Sequence, residues 1–492
     1  MRKGSIIIWL LLLSSVGCKD FLNLVPTNKK IVANVEDVKT EMLTYLAAIT
    51  YSVGTIQPSY GGSVFRFPLY NDIATRLCLY EDDMDMSYYS DHADIEEKAV
   101  NAYNECIDWK GLTIANVLWE KAYGAIGFMN VIIDDLEKAG GYTKTEYETI
   151  VGEAKTIRAY YIFKLLQFFA PYQDDKLGIP LNLDSENVTP SDRLSQKEVY
   201  RIIIRELEEV LSYETVRDKW NMFYYPGIVK AILAQVYMFK AGSAAAEDTD
   251  WANAEKYSGG LIEGYEPENQ TELLSSMFAG SVREYQVANP NYQLRMTYRR
   301  QCDLGNIFTS IWAEGLAQRA SDELLSMYDE NDIRLAAWFK KVEEGNRMLY
   351  YVFKPAYTRS INEITVLFRT AEMYLINAEA KCKLNRVAEA KNMLETFKNA
   401  RIPDFGEYTG DDVLGEILKE RRKEFCYEAG TRWLDMKRLG IEVSRVGTSK
   451  KGQGVETYVL KADDYRYTLP IPMGTELDYN KIEQNPGWGN LK

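Results

Sequence analysis

The side chains that enzymes use most often are scarce in this sequence. His92 is the only histidine among the 492 residues. Ser–His and Cys–His nucleophiles, histidine-ligated zinc and a histidine general base each need a well-placed imidazole, so these chemistries are not expected. The sequence also has no GxSxG, HExxH or GxxxxGK[ST] motif. A glycosidase with two carboxylates stays open as an alternative, because its acidic residues need not lie close together in the sequence.

The densest group of ionisable residues lies near the C terminus. Residues 420–428 read ERRKEFCYE and residues 431–440 read TRWLDMKRLG, with charges three and four positions apart. This spacing predicts an ion-pair network, partly buried, that fixes two helices at an angle. A catalytic role for Glu420 or Glu424 is disfavoured, because neighbouring arginines keep a carboxylate ionised and unable to act as a general acid. The residues assigned to this structural motif are Glu420, Arg421, Arg422, Glu424, Phe425, Glu428, Arg432, Trp433, Asp435 and Arg438.

A second acidic group consists of Glu81, Asp82, Asp83 and Asp85. Hard oxygen ligands crowded into a short loop could bind calcium, but the EF-hand spacing and its glycine are missing. The preferred interpretation is a solvated acidic loop, and the alternative is a structural calcium ion near Asp82 and Asp83. No other cofactor or metal is expected.

The N terminus indicates export. Arg2 and Lys3 precede an apolar run, Ile6–Leu13, which has the length of a signal-peptide core and falls short of the roughly 20 residues of a membrane-spanning helix. Ser15–Gly17 would serve as a small-x-small cleavage site, and Cys18 follows directly. The arrangement resembles a bacterial lipobox, in which Cys18 is acylated and becomes the new N terminus; a plain signal peptide is the alternative. The predicted organisation is a signal peptide (1–17), a lipidated tether (18–30) and a single domain (31–492).

Composition limits the partners. The chain is 46% hydrophobic with a formal net charge of −14, so nucleic acid and an anionic bilayer would on average repel it. Membrane attachment must then come from the lipid on Cys18. The other cysteines are widely spaced and form no CxxC, which argues against a disulfide framework or a zinc site and favours buried free thiols. They are Cys78, Cys106, Cys302, Cys382 and Cys426.

Helices must position these groups, because apolar residues recur every three and four positions through much of the chain. Ser195 with Glu198 has the spacing of a capping box, and Gly140–Gly141 would end a helix. Small residues at Ala378 and Ala390 would let two helices pack closely, as in tetratricopeptide-like hairpins; ordinary hairpins without superhelical stacking are the alternative. The predicted helices span residues 117–139, 147–169, 196–213, 227–241, 251–262, 364–384 and 387–400, with repeat-like pairs at about 117–262 and 364–440.

Two segments, about 60–110 and 263–360, interrupt the helical period. The second contains EGYEPENQ, VANPNYQLRMTYRRQ and VFKPAYTR, in which Gly, Pro, Asn and Tyr are interspersed. Long irregular segments on a regular frame are where binding surfaces usually lie. These segments are therefore the predicted ligand-binding regions.

Four stretches together resemble the SusD/RagB family of outer-membrane nutrient-binding lipoproteins. They are the N-terminal Cys18–Leu22 with Pro26, the hairpin RTAEMYLINAEAKCKLNRVAEAKNMLETFKNAR, the motif ERRKEFCYEAGTRWLDMKRLG and the closing segment YTLPIPMGTELDYNKIEQNPGW. The resemblance implies a mostly α fold: a right-handed superhelical scaffold of tetratricopeptide-like pairs, with an irregular loop-rich subdomain packed on it. It also implies a lipid-anchored protein on the outer surface of Bacteroidetes-type bacteria. Such proteins bind oligosaccharides, or in some branches peptides, and act as a lid on a SusC-like TonB-dependent transporter without catalysis.

Aromatic residues in the irregular segments suit a glycan ligand. Sugars present apolar CH faces as well as hydroxyl edges, and the chain contains 35 tyrosines and nine tryptophans that could stack on them. A RagB-like peptide binder, a carboxylate-dependent surface glycosidase and a repeat adaptor that binds only protein are the alternatives. The candidate ligand-binding residues are Tyr80, Tyr88, Tyr89, Trp109, Tyr285, Tyr292, Tyr298 and Trp312.

Overall fold

The computed structural model describes residues 32–50, 77, 81–83, 114–186, 191–214, 224, 226–267, 292–298, 320–352, 363–428, 430–448, 455–472 and 474–489. Helices dominate this part of the chain, so the predicted mostly α fold class is confirmed. Within it, none of the helices combines the length and the apolar character needed to cross a membrane.

The helices follow the predicted periodicity closely up to residue 262. In chain order they are α1 (Val35–Thr50), α2 (Ile114–Ala139), α3 (Lys144–Phe169), α4 (Gln196–Leu211), α5 (Pro226–Lys240), α6 (Asp250–Gly259), α7 (Asp322–Leu325), α8 (Ile333–Trp338), α9 (Thr370–Lys383), α10 (Val387–Arg401), α11 (Val413–Phe425) and α12 (Thr431–Leu439).

Local signals set several helix ends. Ser195 and Glu198 form the predicted capping box at the start of α4, and Thr143 and Glu146 form another at the start of α3. Each pair satisfies backbone N–H groups that have no partner inside the helix. Gly140 and its neighbour adopt positive φ and end α2 where the sequence predicts. The short connection that follows places α3 directly against α2.

Helix α3 is the centre of the fold. It packs against α2 and α4, and nearly all its residues from Glu148 to Phe169 are buried. Its C-terminal carbonyls are satisfied from far along the chain: Lys437 Nζ donates to the carbonyls of Gln167 (2.7 Å) and Ala170 (2.8 Å). Asn485 Nδ2 donates to that of Phe169 (2.8 Å). The end of α3 is therefore where α12 and the closing segment join the helical body.

Helix α9 separates two apolar cores. Met373 and Ile376 belong to the large core that α3 and its neighbours share. Tyr374 and Ala378 face a smaller core built with α10 and α11, where Ala390 is fully buried, as the predicted close approach of the two helices requires. Burial on both faces explains why α9 has few exposed residues. Superhelical stacking of such hairpins stays a prediction.

Three antiparallel strand pairs complete the described fold. Strand β1 (Tyr292–Tyr298) pairs with β4 (Glu363–Arg369), β2 (Phe339–Glu344) with β3 (Arg347–Val352), and β5 (Val443–Thr448) with β6 (Val455–Leu460). Gly345, with φ of +61°, lies in the tight turn between β2 and β3. Each pair is a separate two-stranded sheet.

The strands correct two sequence predictions. Residues 364–369 were expected to begin a helix, but they form β4, and the helix starts at Thr370. The run EITVLFR is rich in β-branched residues, and a short apolar run has no period that separates strand from helix. The segment 263–360, predicted to be irregular, contains β1, β2 and β3 as well as α7 and α8.

Two glycines in the left-handed conformation flank helix α12. Gly430 precedes α12 with φ of +68°, and Gly440 follows it with φ of +60°, both in the left-handed region. A Cβ on Gly430 would clash with the side chain of Leu77, which is buried against it. A Cβ on Gly440 would meet nothing closer than the carbonyl oxygen of Ala462, at 3.9 Å. The two glycines thus share a backbone conformation and differ in their surroundings.

This difference predicts unequal costs for the same substitution. Gly440→Ala should lower the free energy of unfolding by about 1–2 kcal/mol, the cost of a left-handed conformation with a Cβ. Gly430→Ala should cost about 1–3 kcal/mol more, because the new methyl group also displaces Leu77. Urea unfolding of both variants measures the difference. Equal decreases in the free energy of unfolding of the two variants would show that Leu77 does not constrain the backbone at Gly430.

Candidate functional site

Most of the predicted aromatic residues lie outside the described residues. These are Tyr80, Tyr88, Tyr89, Trp109, Tyr285 and Trp312, and the lipidation candidate Cys18 also lies outside. Tyr292 and Tyr298 are the first and last residues of β1, where the backbone pairs with Arg369 and Glu363 of β4. The aromatic platform therefore stays a prediction. What the structure does establish is how the described residues of the two predicted ligand-binding segments attach to the helical body.

Three of the four acidic residues in the first segment are buried, which overturns the predicted solvated loop for them; Asp85 lies outside the described residues. Glu81, Asp82 and Asp83 are 1%, 7% and 0% exposed. Arg432 donates to both carboxylate oxygens of Asp82 (2.8 and 2.6 Å). Arg422 Nε donates to Asp83 Oδ1 (2.8 Å). Asp82 and Asp83 are buried as charged groups because arginines of the C-terminal motif, about 340 residues later in the sequence, neutralise them.

The same contacts argue against calcium at this position. Guanidinium groups occupy both oxygens of Asp82 and one oxygen of Asp83, where a cation would have to bind. Across the ranges that the structure describes, no group of three or more His, Cys, Asp or Glu residues could hold a metal ion. Arginine thus supplies here the positive charge that a calcium ion would have supplied in the alternative interpretation.

The second segment reaches the same place. The Ser321 amide donates to the Asp83 carbonyl (2.8 Å), and the Ser321 hydroxyl donates to the Asp82 carbonyl (2.8 Å). The hydroxyl of Tyr427, in the turn after α11, donates to the Asp83 carbonyl as well (2.6 Å). We call this meeting point the loop junction; it comprises Glu81–Asp83, Ser321, Arg422, Tyr427 and Arg432.

Burial shapes the protonation of the loop junction. Burial raises the pKa of Glu81 well above its usual range, and the negative charge of Asp83 adds to the effect. The Trp433 amide opposes it by donating to Glu81 Oε1 (3.1 Å). The other oxygen of Glu81 is buried without a hydrogen-bond partner. Glu81 is therefore a buried acid without a cation bonded to it, unlike Asp82.

Next to the loop junction, three arginines surround Glu424 of α11. Arg334 donates to it (3.2 Å) from α8, Arg369 (2.9 Å) from the end of β4, and Arg401 (3.1 Å) from α10. Arg334 is fully buried and also bonds Asp332 (2.7 Å) and Glu420 (2.7 Å). We call these residues, with Glu428, the central ion-pair network.

The arginines of the central ion-pair network lower the pKa values of Glu420 and Glu424. Burial alone would raise the pKa of Glu420, but the charges of Arg334 and Lys423 outweigh it and lower this pKa to about 2. Arg401, Arg369 and Arg334 likewise hold the pKa of Glu424 well below its usual range, against the effect of burial. Both carboxylates are thus ionised at neutral pH, as the sequence pattern indicates.

A further set of ion pairs joins α9, α11 and α12. Arg421 donates to Glu372 (3.0 Å) on α9 and to Asp435 (2.8 Å) on α12. Arg438 joins Asp435 (2.6 Å) to Glu379 on α9 (2.7 and 3.0 Å). The predicted network of two helices therefore extends to a third, and it is buried throughout.

The two aromatic members of the motif are buried in different surroundings. Phe425 lies under the guanidinium groups of Arg369 and Arg421, 4.5 and 5.4 Å from its ring centroid. Trp433 is 1% exposed and packs against Tyr467, with ring centroids 5.0 Å apart. The ring of Phe425 thus supports charged groups that are held away from water.

Several partners of the motif were not identified from the sequence. Glu372 and Glu379 are seven residues apart on α9, so one face of the helix carries both, and this spacing was the available signal. Arg334, Arg369 and Arg401 lie in separate elements, and no local pattern links them to Glu424. Their role follows only from tertiary packing.

The central ion-pair network predicts a large cost for removing one buried cation. Arg334→Met should destabilise the protein by about 3–5 kcal/mol, because it leaves buried carboxylates without their partner. Arg386→Met is the matched control: Arg386 also bonds glutamates, but its side chain is 41% exposed and its ion pairs are screened by water. Denaturant unfolding should show little change for the control. A similar small change for Arg334→Met would contradict the structure.

The loop junction predicts opposite effects for two acids that are adjacent in sequence. A carboxyl group whose folded pKa lies above its unfolded value contributes stability at acidic pH, which is lost as the pH rises through the folded value. Glutamine at position 81 cannot ionise, so Glu81→Gln avoids this loss of stability, and its amide oxygen still accepts from the Trp433 amide. The variant should therefore be more stable than the unaltered protein above neutral pH. Asp82→Asn weakens the pairing with Arg432 and should destabilise it by about 3 kcal/mol or more. Thermal unfolding from pH 5 to 9 tests both; destabilisation by Glu81→Gln at every pH would refute the assignment.

Comparisons with known proteins agree with the motif resemblance. The SusD family model matches residues 350–488, which include β4, α9 to α12 and most of the charged network. A second model, described as starch-binding and associating with the outer membrane, matches residues 66–238, which include Glu81–Asp83. Together the two models match more than half of the chain.

Individual relatives are distant in sequence and close in fold. A SusD-like protein of Formosa agariphila is 24% identical over 384 residues, covering 67% of this chain and 73% of its own length. A SusD superfamily protein of Bacteroides vulgatus has a TM-score of 0.70 at 19% identity, covering 92% of this chain and 99% of the other. The surface glycan-binding protein A of Bacteroides fluxus has a TM-score of 0.60 at 16% identity, with coverage of 92% and 98%. With the matched motifs in the same order along the chain, these findings establish that this protein belongs to the SusD-like family.

Proposed function

We propose that this protein captures oligosaccharides at the cell surface and delivers them to a SusC-like TonB-dependent transporter in the outer membrane, acting as its lid. The observation that carries the proposal is the match of residues 66–238 to the family described as starch-binding and associating with the outer membrane. A relative in fold is a surface glycan-binding protein, which agrees with this ligand class.

The geometry of the loop junction supports a binding role for the irregular segments. Asp82 and Asp83 are held by arginines of α11 and α12, and Ser321 joins the second segment to them. In the sequence, Tyr80 directly precedes Glu81 and Trp312 lies nine residues before Ser321. A fixed attachment point near each candidate would lower the entropic cost of ordering a loop around a ligand.

A catalytic role has less support. Glu420 and Glu424 are the carboxylates that the sequence singles out, and their pKa values are lowered by the arginines around them. A retaining or inverting glycosidase needs one carboxyl group that stays protonated to act as an acid. We therefore propose binding without catalysis. A peptide ligand, as in RagB-like proteins, is the alternative that the binding experiment decides.

The test uses the secreted protein with Cys18→Ser, which should remain soluble. Tryptophan fluorescence and calorimetry against host glycans, plant glycans and peptides should give saturable binding to at least one glycan family. Binding to peptides alone would favour the RagB-like alternative. Release of shortened sugars, followed by chromatography, would revive the glycosidase.

Candidate platform residues should be separable from other exposed aromatic residues. Trp312→Ala or Tyr80→Ala should weaken glycan binding by about 1–3 kcal/mol, by analogy with bases that stack on aromatic side chains. Tyr479→Ala is the matched control, since this tyrosine is 81% exposed and lies outside both irregular segments. Unchanged affinity for a candidate, or a loss equal to that of the control, removes that residue from the platform.

Lipidation of Cys18 would have an effect on localisation that is separate from glycan binding. Cys18→Ser should shift the protein from the outer-membrane fraction to the soluble fraction, because acyl chains supply the attachment that a chain of net charge −14 lacks. Lengthening the tether (18–30) should reduce uptake of the bound glycan and leave its affinity unchanged. Membrane fractionation and uptake of labelled glycan measure these effects. Membrane retention of Cys18→Ser would refute lipidation as the anchor.

A further inference from the structure

A polar cavity lies inside the helical body. Its volume is about 50 Å³, and side chains of α3, α5, α9, α11 and α12 line it. One water molecule needs a cavity of only ~10–15 Å³, so this space holds more than one water-sized particle. Polar side chains around such a space need partners inside it, because burial without hydrogen bonds is costly.

The carboxylates that line the cavity are already satisfied. Glu372 accepts from Arg421 Nη2 (3.0 Å) and from Gln235 Nε2 (2.8 Å), one donor for each oxygen. Asp435 accepts from Arg421 Nε (2.8 Å) and from Arg438 Nε (2.6 Å), again one for each oxygen. Arg438 also pairs with Glu379 outside the cavity lining. The carboxylates of Glu372 and Asp435 therefore need no additional cation in the cavity.

One nitrogen of the Arg421 guanidinium group has no hydrogen-bond acceptor. Arg421 is 3% exposed, and two of its guanidinium nitrogens hold Glu372 and Asp435. Its third nitrogen, Nη1, is buried and has no hydrogen-bond partner in the protein. A buried donor without an acceptor costs about 1–3 kcal/mol, and more when the group is charged. The cavity is the place where that acceptor can reside.

A second cation lines the same space. Lys164 of α3 is 6% exposed, and its Nζ donates to Gln167 Oε1 (2.9 Å). It lies 5.2 Å from the ring centroid of Tyr160 and 5.3 Å from that of Phe163, in surroundings that offer little solvation to an ammonium group. Burial lowers the pKa of Lys164 to about 7, and the nearby Glu372 only partly offsets this. An acceptor of negative charge would hold the lysine protonated.

We infer that this cavity binds a small monovalent anion of about the size of chloride, held by Arg421 Nη1 and Lys164 Nζ. An anion accepts hydrogen bonds from both donors and donates none, which suits a site whose remaining polar need is for an acceptor. Charge-assisted hydrogen bonds to an anion are also stronger than those to water. The inference is independent of the proposed glycan function.

The ion would strengthen the packing of four helices. Arg421 already links α9 and α12 through Glu372 and Asp435, and the anion would extend that link to Lys164 on α3. The site would therefore be structural, and its occupancy would appear as stability.

The direct test is crystallography of the mature protein in bromide. Bromide replaces chloride and scatters anomalously, so an anomalous peak beside Arg421 Nη1 is expected in the cavity. Electron density of a water molecule at that position, with no anomalous signal, would overturn the inference.

A solution test uses anion-dependent stability. At equal ionic strength, the melting temperature in sodium chloride or bromide should rise above that in sodium gluconate, whose anion is too large for the cavity, and the rise should saturate as the site fills. Equal melting temperatures in the three salts over the whole titration would overturn the inference.

Matched lysine variants assign the effect to the cavity. Lys164→Met should abolish the difference between bromide and gluconate. Lys437→Met should retain it although it lowers stability, because Lys437 is buried too but bonds the carbonyls at the end of α3 and does not line the cavity. A retained difference in Lys164→Met would contradict the site. If Lys164→Met does not fold, the bromide peak in the unaltered protein decides.

Discussion

Buried charge is the constraint on which the rest of this structure depends. Charged side chains leave water only when partners of opposite charge and hydrogen bonds replace it. Helix α11 presents charges in several directions, and each direction meets a different part of the chain. Glu424 faces β4, α8 and α10, Arg421 faces α9 and α12, and Arg422 faces the acidic group that follows Tyr80. Since no member can be left unpaired, these parts have one mutual arrangement.

The buried ion pairs determine which residues meet more than they add to the free energy of unfolding. Apolar residues of the same shape could pack the same helices, and buried ion pairs often contribute little net free energy once the cost of desolvation is counted. What the pairs add is the requirement that residues far apart in sequence meet in one register. The loop junction shows the consequence, because Asp82 and Asp83 must reach Arg432 and Arg422 before α11 and α12 are satisfied. Glu81–Asp83 of the first segment and Ser321 of the second are thereby held together at the loop junction.

The sequence allowed the helical frame to be predicted well and the tertiary partners poorly. The capping pair Ser195–Glu198 and the glycines after α2 act locally, within a few residues, so a window of sequence contains all the information they need. The prediction of a helix over residues 364–369 was wrong because a short apolar run has no period that separates strand from helix, and its pairing partner β1 lies about 70 residues earlier. The prediction that Glu81–Asp83 lie in a solvated loop was wrong because it did not consider cations from distant parts of the sequence.

The sequence by itself determined the mostly helical class, the positions of the main helices, the motif around Glu424 and its ionised character, because these follow from periodicity and from charges close together in the chain. Only the tertiary structure decided which residues neutralise that motif, where the irregular segments attach, and that a cavity beside Arg421 leaves one donor without an acceptor. The physical reason is that hydrogen bonds and ion pairs depend on distance in space. A pair such as Arg432 and Asp82, 350 residues apart, leaves no local trace in the sequence.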